Sequence, residues 1–148
     1  MNVRSFKNRD HLIEMRQLAH ENNYNVIAIS ESWLNSSVIN TEVEIAGYKL
    51  YRMDRLNKSG GGVCVYTRCS LKIKVLKDLS GISALGFHQL WIQVQHNKLK
   101  SILLCVTYRP PDCSTICFED FADKYSQALT YGKEIFVMGD LRWLDTVK

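Results

Sequence analysis

The 148-residue sequence contains no apolar run that approaches the roughly 20 residues of a membrane-spanning helix, so we expect no membrane partner. No signal peptide is expected at its start. Its five cysteines include no Cys-x-x-Cys pair, and no histidine stands at ligand spacing from a cysteine pair, which argues against a zinc site. We therefore predict reduced thiols in small core positions and an intracellular protein, either nuclear or cytoplasmic.

The composition also lacks a strong charge of either sign. A formal charge of +4 permits a polyanionic partner without requiring one. Hydrophobic residues make up 46% of the chain and charged residues 23%, which is typical of a globular domain. With no repeat and no low-complexity segment, the chain is predicted to form one domain.

The chain is organised around a short apolar run that ends in a carboxylate. Residues 26–29 (Val-Ile-Ala-Ile) are continuously apolar and are followed by Ser30 and Glu31. Such a run is typical of a strand buried on both faces. Since the end of a buried strand can present a charged group to a cleft, Glu31 is the natural centre of a functional site.

The remaining pattern predicts helices outside two packed sheets. Residues 8–20 and 116–129 have apolar residues at helical spacing, and Gly132 is expected to close the second helix. Further strands are predicted at residues 47–52, 63–67, 71–75, 89–95, 99–108 and 134–138, the last as another buried strand. These strands predict two hairpins, one with a long basic loop at residues 54–62 and one with its turn at residues 96–98. Such a string of antiparallel strands argues against a doubly wound fold.

Three predicted strand ends carry polar side chains, namely Asn2, Glu31 and Asp140. If these strands are neighbours, an amide and two carboxylates meet at one edge and can hold a hard divalent cation. Magnesium suits oxygen ligands and can bridge to a substrate phosphate. Taken one at a time, each residue is better explained as a strand-end cap or a turn former than as a metal ligand.

Six segments, in this order, resemble the endonuclease/exonuclease/phosphatase superfamily, and within it the endonuclease domain of LINE-type (non-long-terminal-repeat) retrotransposons. The segments are Asn2-Val3-Arg4-Ser5, Ile29-Ser30-Glu31-Ser32-Trp33-Leu34, Gly47-Tyr48 with Arg52-Met53-Asp54-Arg55, Gly60-Gly61-Gly62-Val63, Tyr108-Arg109-Pro110-Pro111 and Val137-Met138-Gly139-Asp140. The resemblance implies an α+β fold, a four-layered α/β/β/α sandwich of two mixed sheets flanked by helices. Residues 1–148 would then form a partial domain, incomplete at both ends.

The resemblance also implies a magnesium-dependent hydrolase that nicks DNA, with Mn²⁺ as an alternative ion. Glu31 would be the main metal ligand and Asn2 would help to order the metal site. Tyr108 would donate a hydrogen bond near the scissile phosphate, and Asp140 would orient or deprotonate the attacking water. Without the resemblance, Tyr108 is equally an amphipathic strand-end residue.

Departures from the family pattern predict impaired catalysis. The family has Gly-Asp-x-Asn where this chain has Gly139-Asp140-Leu141-Arg142, and arginine cannot accept a hydrogen bond as an amide does. The family's later strands, with a second aspartate and an Asp-His pair, would follow Lys148, and a longer ancestral product could carry a reverse transcriptase. None of the four histidines (His11, His20, His88 and His96) stands at the family position; helix-surface or hairpin-turn roles are expected for them.

Basic residues around the predicted cleft are candidates for DNA contacts. The predicted set is Arg52, Arg55, Lys58, Arg109 and Arg142, with Arg68 as a further flanking cation. Such contacts position phosphates without reading sequence, although exposed cations are commonly just solvated surface. The glycine triplet lacks the Gly-Lys-Ser/Thr ending of a nucleotide loop and is expected to tighten a hairpin turn.

Three other functions stay open at this stage. The chain could bind nucleic acid without cutting it, or hydrolyse a small phosphorylated molecule or a lipid headgroup. It could also be a fragment with no independent role.

Overall fold

The computed structural model describes Phe6, residues 8–56 and residues 60–140, with only the backbone of Asp140. These residues form two α-helices and eight strands. The helices are α1 (Arg9–Asn22) and α2 (Cys117–Leu129), and the strands are β1 (Val26–Ser30), β2 (Tyr48–Met53), β3 (Val63–Arg68), β4 (Lys72–Val75), β5 (Gly81–Ile82), β6 (His88–Gln95), β7 (Ile102–Tyr108) and β8 (Ile135–Asp140). A short 3₁₀ helix spans Asn40–Val43. No helix in these described ranges is both long and apolar enough to cross a membrane.

The strands form two sheets. The first has the order β1-β3-β2 and is antiparallel throughout its described strands. The second has the order β4-β6-β7-β8, with β5 also paired to β6. Its β7–β8 pair is parallel while its other pairs are antiparallel, because α2 connects β7 to β8 as a crossover.

Helix α1 covers the outer face of the first sheet. Asn8 caps its start by accepting a hydrogen bond from the Asp10 amide at 3.0 Å, and Asn23 ends it in the left-handed conformation. Its buried Met15 belongs to a cluster that also contains Ile29 of β1. Burial of this apolar face holds the helix on the sheet.

Apolar side chains fill the two remaining interfaces of the sandwich. Between the sheets, Val65 and Ile92 are fully buried in one cluster. On the far side, Trp91 and Leu103 pack with Ala128 of α2. The order of layers is therefore α1, first sheet, second sheet, α2, which confirms the α/β/β/α prediction.

Three details differ from the prediction. Only the second sheet is mixed within the described residues. Strand β8 is not buried on both faces, because Phe136 and Met138 are 46% and 44% exposed at the sheet edge. Two residues of the predicted apolar face of α2, Phe118 and Leu129, are also exposed, since only part of the helix contacts the sheet.

The cysteine prediction is partly wrong. Cys64 and Cys105 are buried free thiols, as predicted, and burial raises the pKa of the Cys64 thiol to about 12. Cys69 is free but exposed. Cys113 and Cys117 are joined by a disulfide, which their spacing of four residues did not indicate.

Candidate functional site

One end of the sandwich gathers the strand ends that carry polar residues. In the first sheet, Ser30 and Met53 both pair with Val63, so Glu31, Asp54 and the glycine triplet emerge at the same end. In the second sheet, Tyr108 pairs with His88 on one side and with Asp140 on the other. We call this end of both sheets the rim.

The backbone around Glu31 is strained. Glu31 and Trp33 both have a positive φ, 55° and 57°, which side chains other than glycine rarely adopt. The Ser32 and Trp33 amides donate hydrogen bonds to the Gly62 and Gly61 carbonyls at 3.3 and 2.9 Å. These bonds hold the unusual conformation, and backbone strain of this kind is concentrated at functional sites.

The Glu31 side chain is suited to a divalent cation. It is half-buried, and among the described residues its carboxylate has no hydrogen bond or ion pair. Magnesium is commonly held by one or two carboxylates, with waters and substrate phosphates completing the shell. No cluster of three or more His, Cys, Asp or Glu side chains occurs in the described ranges. The second predicted ligand, Asn2, lies outside these ranges.

Gly61 joins the two sheets at the rim. Its φ is +67°, and a side-chain carbon added to it would lie 2.8 Å from Arg55 Cδ and 2.9 Å from Tyr108 Cε1. No side chain fits there without displacing one of these groups. The triplet was predicted to tighten a turn; it also brings the Glu31 loop against Tyr108.

Tyr108 is buried and has a neighbour that the sequence analysis missed. The ring of His88 lies directly across the hairpin, with ring centroids 5.7 Å apart in an edge-to-face arrangement. His88 is fully buried, and its Nε2 has no hydrogen-bond partner among the described residues. A buried polar atom without a hydrogen bond lowers the free energy of unfolding by about 1–3 kcal/mol. The expected helix-surface or hairpin-turn role is therefore wrong for His88.

Asp140 reaches the rim through its backbone, which pairs in parallel with Tyr108. The preceding residue, Gly139, has a φ of +130°, and a side-chain carbon there would lie 2.1 Å from the Thr107 carbonyl oxygen. Glycine is therefore required beside Asp140 for the strands to pair. The predicted convergence was that of Asn2, Glu31 and Asp140: the backbones of Glu31 and Asp140 end at the rim, while Asn2 and the side chain of Asp140 lie outside the described residues.

Arg52 has a structural role in place of the predicted DNA contact. Its five N–H groups donate to the carboxylate of Asp54 (2.6 and 3.0 Å), to the carbonyls of Asn35 and Val38, and to Asn40 Oδ1. The side chain is only 14% exposed. Because guanidinium has five N–H donors, none is left for a phosphate. Arg52 instead fastens the loop after Glu31 to the end of β2.

The other predicted DNA-contact residues lie in different parts of the structure, and not all of them are at the rim. Arg55 contacts Gly61 at the rim, and its guanidinium makes no hydrogen bond or ion pair to the described residues. Arg109 donates to the Cys113 carbonyl at 2.8 Å, which ties the loop after β7 to the start of α2. Arg68 lies at the opposite end of β3, over the Tyr48 ring at 5.4 Å, so it does not flank the cleft. Lys58 and Arg142 fall outside the described residues.

A cavity of about 230 Å³ opens beside the rim, next to His88. Polar groups of Arg55, His88 and Asp112 line it, together with apolar residues of the loops. This space is many times what one water molecule needs. The rim therefore offers a half-buried carboxylate, a cation and an adjoining cavity, which suits a charged phosphate-bearing ligand.

No protein-family model and no curated protein sequence matches the chain. Solved structures do match: the AP endonuclease LMAP from Leishmania major has a TM-score of 0.68 at 15% identity, covering 95% of this chain and 53% of the other. The human Nocturnin catalytic domain has a TM-score of 0.63 at 14% identity, covering 95% and 61%. The 3′ phosphatase NExo from Neisseria, bound to a product DNA hairpin, has a TM-score of 0.62 at 14% identity, covering 94% and 55%.

The chain thus spans about half to three-fifths of these neighbours. At such low identity the likeness concerns the fold and not the substrate. The TM-scores of 0.62–0.68 over 94–95% of the chain show that it shares the fold of these nucleases and phosphatases.

Proposed function

We propose that this chain is a metal-dependent phosphodiester hydrolase domain that acts on DNA. The observation that carries the proposal is the half-buried carboxylate of Glu31, which has no hydrogen bond or ion pair to the described residues and stands on a strained backbone at the rim where Tyr108 and the Asp140 backbone also end. A divalent ion bound there would pair with this carboxylate and give the strained backbone a function.

Glu31 would hold Mg²⁺ or Mn²⁺, with Asn2 as the second ligand. When bound, the ion would stabilise the charge that develops on the phosphate. Tyr108 would donate a hydrogen bond to a phosphate oxygen, and Asp140 would accept the proton of the attacking water. Arg55 would bind a neighbouring phosphate, since its guanidinium is at the rim and engages no acceptor in the described residues.

DNA is the proposed substrate for two reasons. NExo, a neighbour in fold, is a phosphatase bound to a DNA product, and LMAP is an AP endonuclease. The formal charge of +4 favours a polyanion over a neutral ligand. Lys58, Arg109 and Arg142 complete the proposed phosphate contacts, while Arg52 is excluded by its internal hydrogen bonds.

We further propose a LINE-type retrotransposon origin, on the six segments quoted above. In such an element the domain would function beside a reverse transcriptase. Arg142, where the LINE-type pattern has asparagine, would slow the reaction because it cannot accept a hydrogen bond from the substrate site.

The test is plasmid nicking with magnesium by the wild-type chain, Glu31→Gln and Arg142→Asn. We expect slow nicking by the wild type, none by Glu31→Gln and faster nicking by Arg142→Asn. Nicking that is unaffected by Glu31→Gln would contradict the assigned metal ligand. If the wild type and Arg142→Asn both bind DNA in a salt-dependent manner but never nick it, the domain is a nucleic-acid-binding module and the hydrolase proposal is wrong.

A further inference from the structure

The buried histidine at the rim has a defined protonation state. His88 Nδ1 lies 2.9 Å from the Gly86 carbonyl oxygen, which can only accept a hydrogen bond, so Nδ1 carries the proton. Nε2 then has a lone pair and, within the described part of the chain, no partner. Burial, as the largest cause, lowers the pKa of His88, and Arg55 lowers it further; the Gly86 carbonyl and Asp54 oppose this shift. The lowered pKa favours the neutral ring.

Packing alone does not explain a histidine at this position. A phenylalanine ring would fill similar space against Tyr108 without leaving a buried nitrogen unsatisfied. The Gly86 hydrogen bond fixes the orientation of the imidazole, and Gly86 itself packs close to Pro110, whose Cγ would lie 3.2 Å from an added side-chain carbon. The imidazole is therefore held by the turn before β6 and by the loop after β7 at once.

A second proton would disrupt this arrangement. It would place a charged N–H in the apolar layer between the sheets, beside the Tyr108 ring and near the Arg55 guanidinium. The adjoining cavity, which both His88 and Asp112 line, gives an imidazolium space to move into and a carboxylate to pair with there. Movement of His88 into the cavity would remove the ring edge against which Tyr108 packs.

We propose that His88 is a positioning residue for Tyr108: its neutral ring holds the tyrosine at the rim, and protonation moves both rings. The facing charged and titratable groups are Arg55, Asp54, Asp112 and Tyr108. A consequence for catalysis rests on the proposed function, whereas the proton-driven movement does not.

The test follows the Tyr108 ring by NMR of tyrosine-labelled protein between pH 4.5 and 8, and needs no activity. In the wild type we expect the Tyr108 ring signals to shift with a midpoint below the ordinary histidine value of about 6.5. The shift should vanish in His88→Phe, which keeps a ring, and persist in His96→Ala, which alters an exposed hairpin turn. Asp112→Asn should lower the midpoint, because the imidazolium loses its acceptor.

A Tyr108 signal that is independent of pH, or one that shifts equally in His88→Phe, would overturn the inference. If nicking is established, His88→Phe should also flatten the acid limb of the kcat profile with KM unchanged. A pH-dependent Tyr108 signal in a chain that never nicks would refute the proposed function alone, so the two failures are distinguishable.

Discussion

Replacement of Gly61 by alanine tests whether the rim is assembled by close contact between the two sheets. A Cβ at Gly61 would lie 2.8 Å from Arg55 Cδ and 2.9 Å from Tyr108 Cε1, which is closer than carbon atoms approach without displacement. The backbone also has a φ of +67°, which costs a residue other than glycine about 1–2 kcal/mol. Overpacking adds about 1–3 kcal/mol. The expected total loss of unfolding free energy is roughly 2–5 kcal/mol.

Gly132 provides a matched control within the same chain. Its φ is +65°, almost that of Gly61, but a side-chain carbon there would meet nothing within 4 Å. Gly132→Ala therefore carries the conformational cost without the clash. Urea denaturation of the two variants should differ by about 1–3 kcal/mol, with Gly61→Ala the less stable. Equal losses would refute the claim that Gly61 presses the Glu31 loop against Tyr108.

Other predictions concern the cations and the buried histidine. Arg52→Gln should lose about 1–3 kcal/mol of unfolding free energy, because buried carbonyls lose their donors, and a stability near that of the wild type would contradict its structural role. Arg55→Gln should change stability by less than about 0.5 kcal/mol. In DNA binding, it should reduce the slope of log K against log salt concentration by about 1, and an unchanged slope would exclude a phosphate contact. Since burial lowers the pKa of His88, the folded chain binds fewer protons than the unfolded chain, and stability should fall as the pH drops below about 6.5 through the folded pKa. His88→Phe should weaken that dependence in thermal unfolding, and an unweakened dependence would assign it to other groups.

The layers of this fold could be predicted because they depend on local pattern. The apolar run before Glu31 is β1, buried between α1 and the second sheet, and residues 8–20 became α1 with a capping asparagine at its start. Periodicity also indicated both hairpins, since alternating residues at each strand face opposite sides. These features need no knowledge of distant contacts.

What the pattern could not predict depends on register and on loop conformation. Arg52 looked like a DNA contact because its acceptors, the carbonyls of Asn35 and Val38, belong to a loop with no periodicity. The hairpin between β6 and β7 was predicted, but only its register places His88 opposite Tyr108. The turn of this hairpin was predicted at residues 96–98. If it had been predicted one or two residues later in the chain, the sequence alone would have paired His88 with Tyr108. The disulfide between Cys113 and Cys117 likewise requires the turn that precedes α2.

The account depends most on a divalent cation bound by Glu31 at the rim. Titration of ¹⁵N-labelled protein with Mn²⁺ measures this directly, because a bound paramagnetic ion broadens the amide signals around it. Broadening should centre on residues 30–33, on Gly61 and Gly62 and on Tyr108, and should disappear in Glu31→Gln. Broadening that is centred elsewhere, or that persists unchanged in Glu31→Gln, would contradict the account.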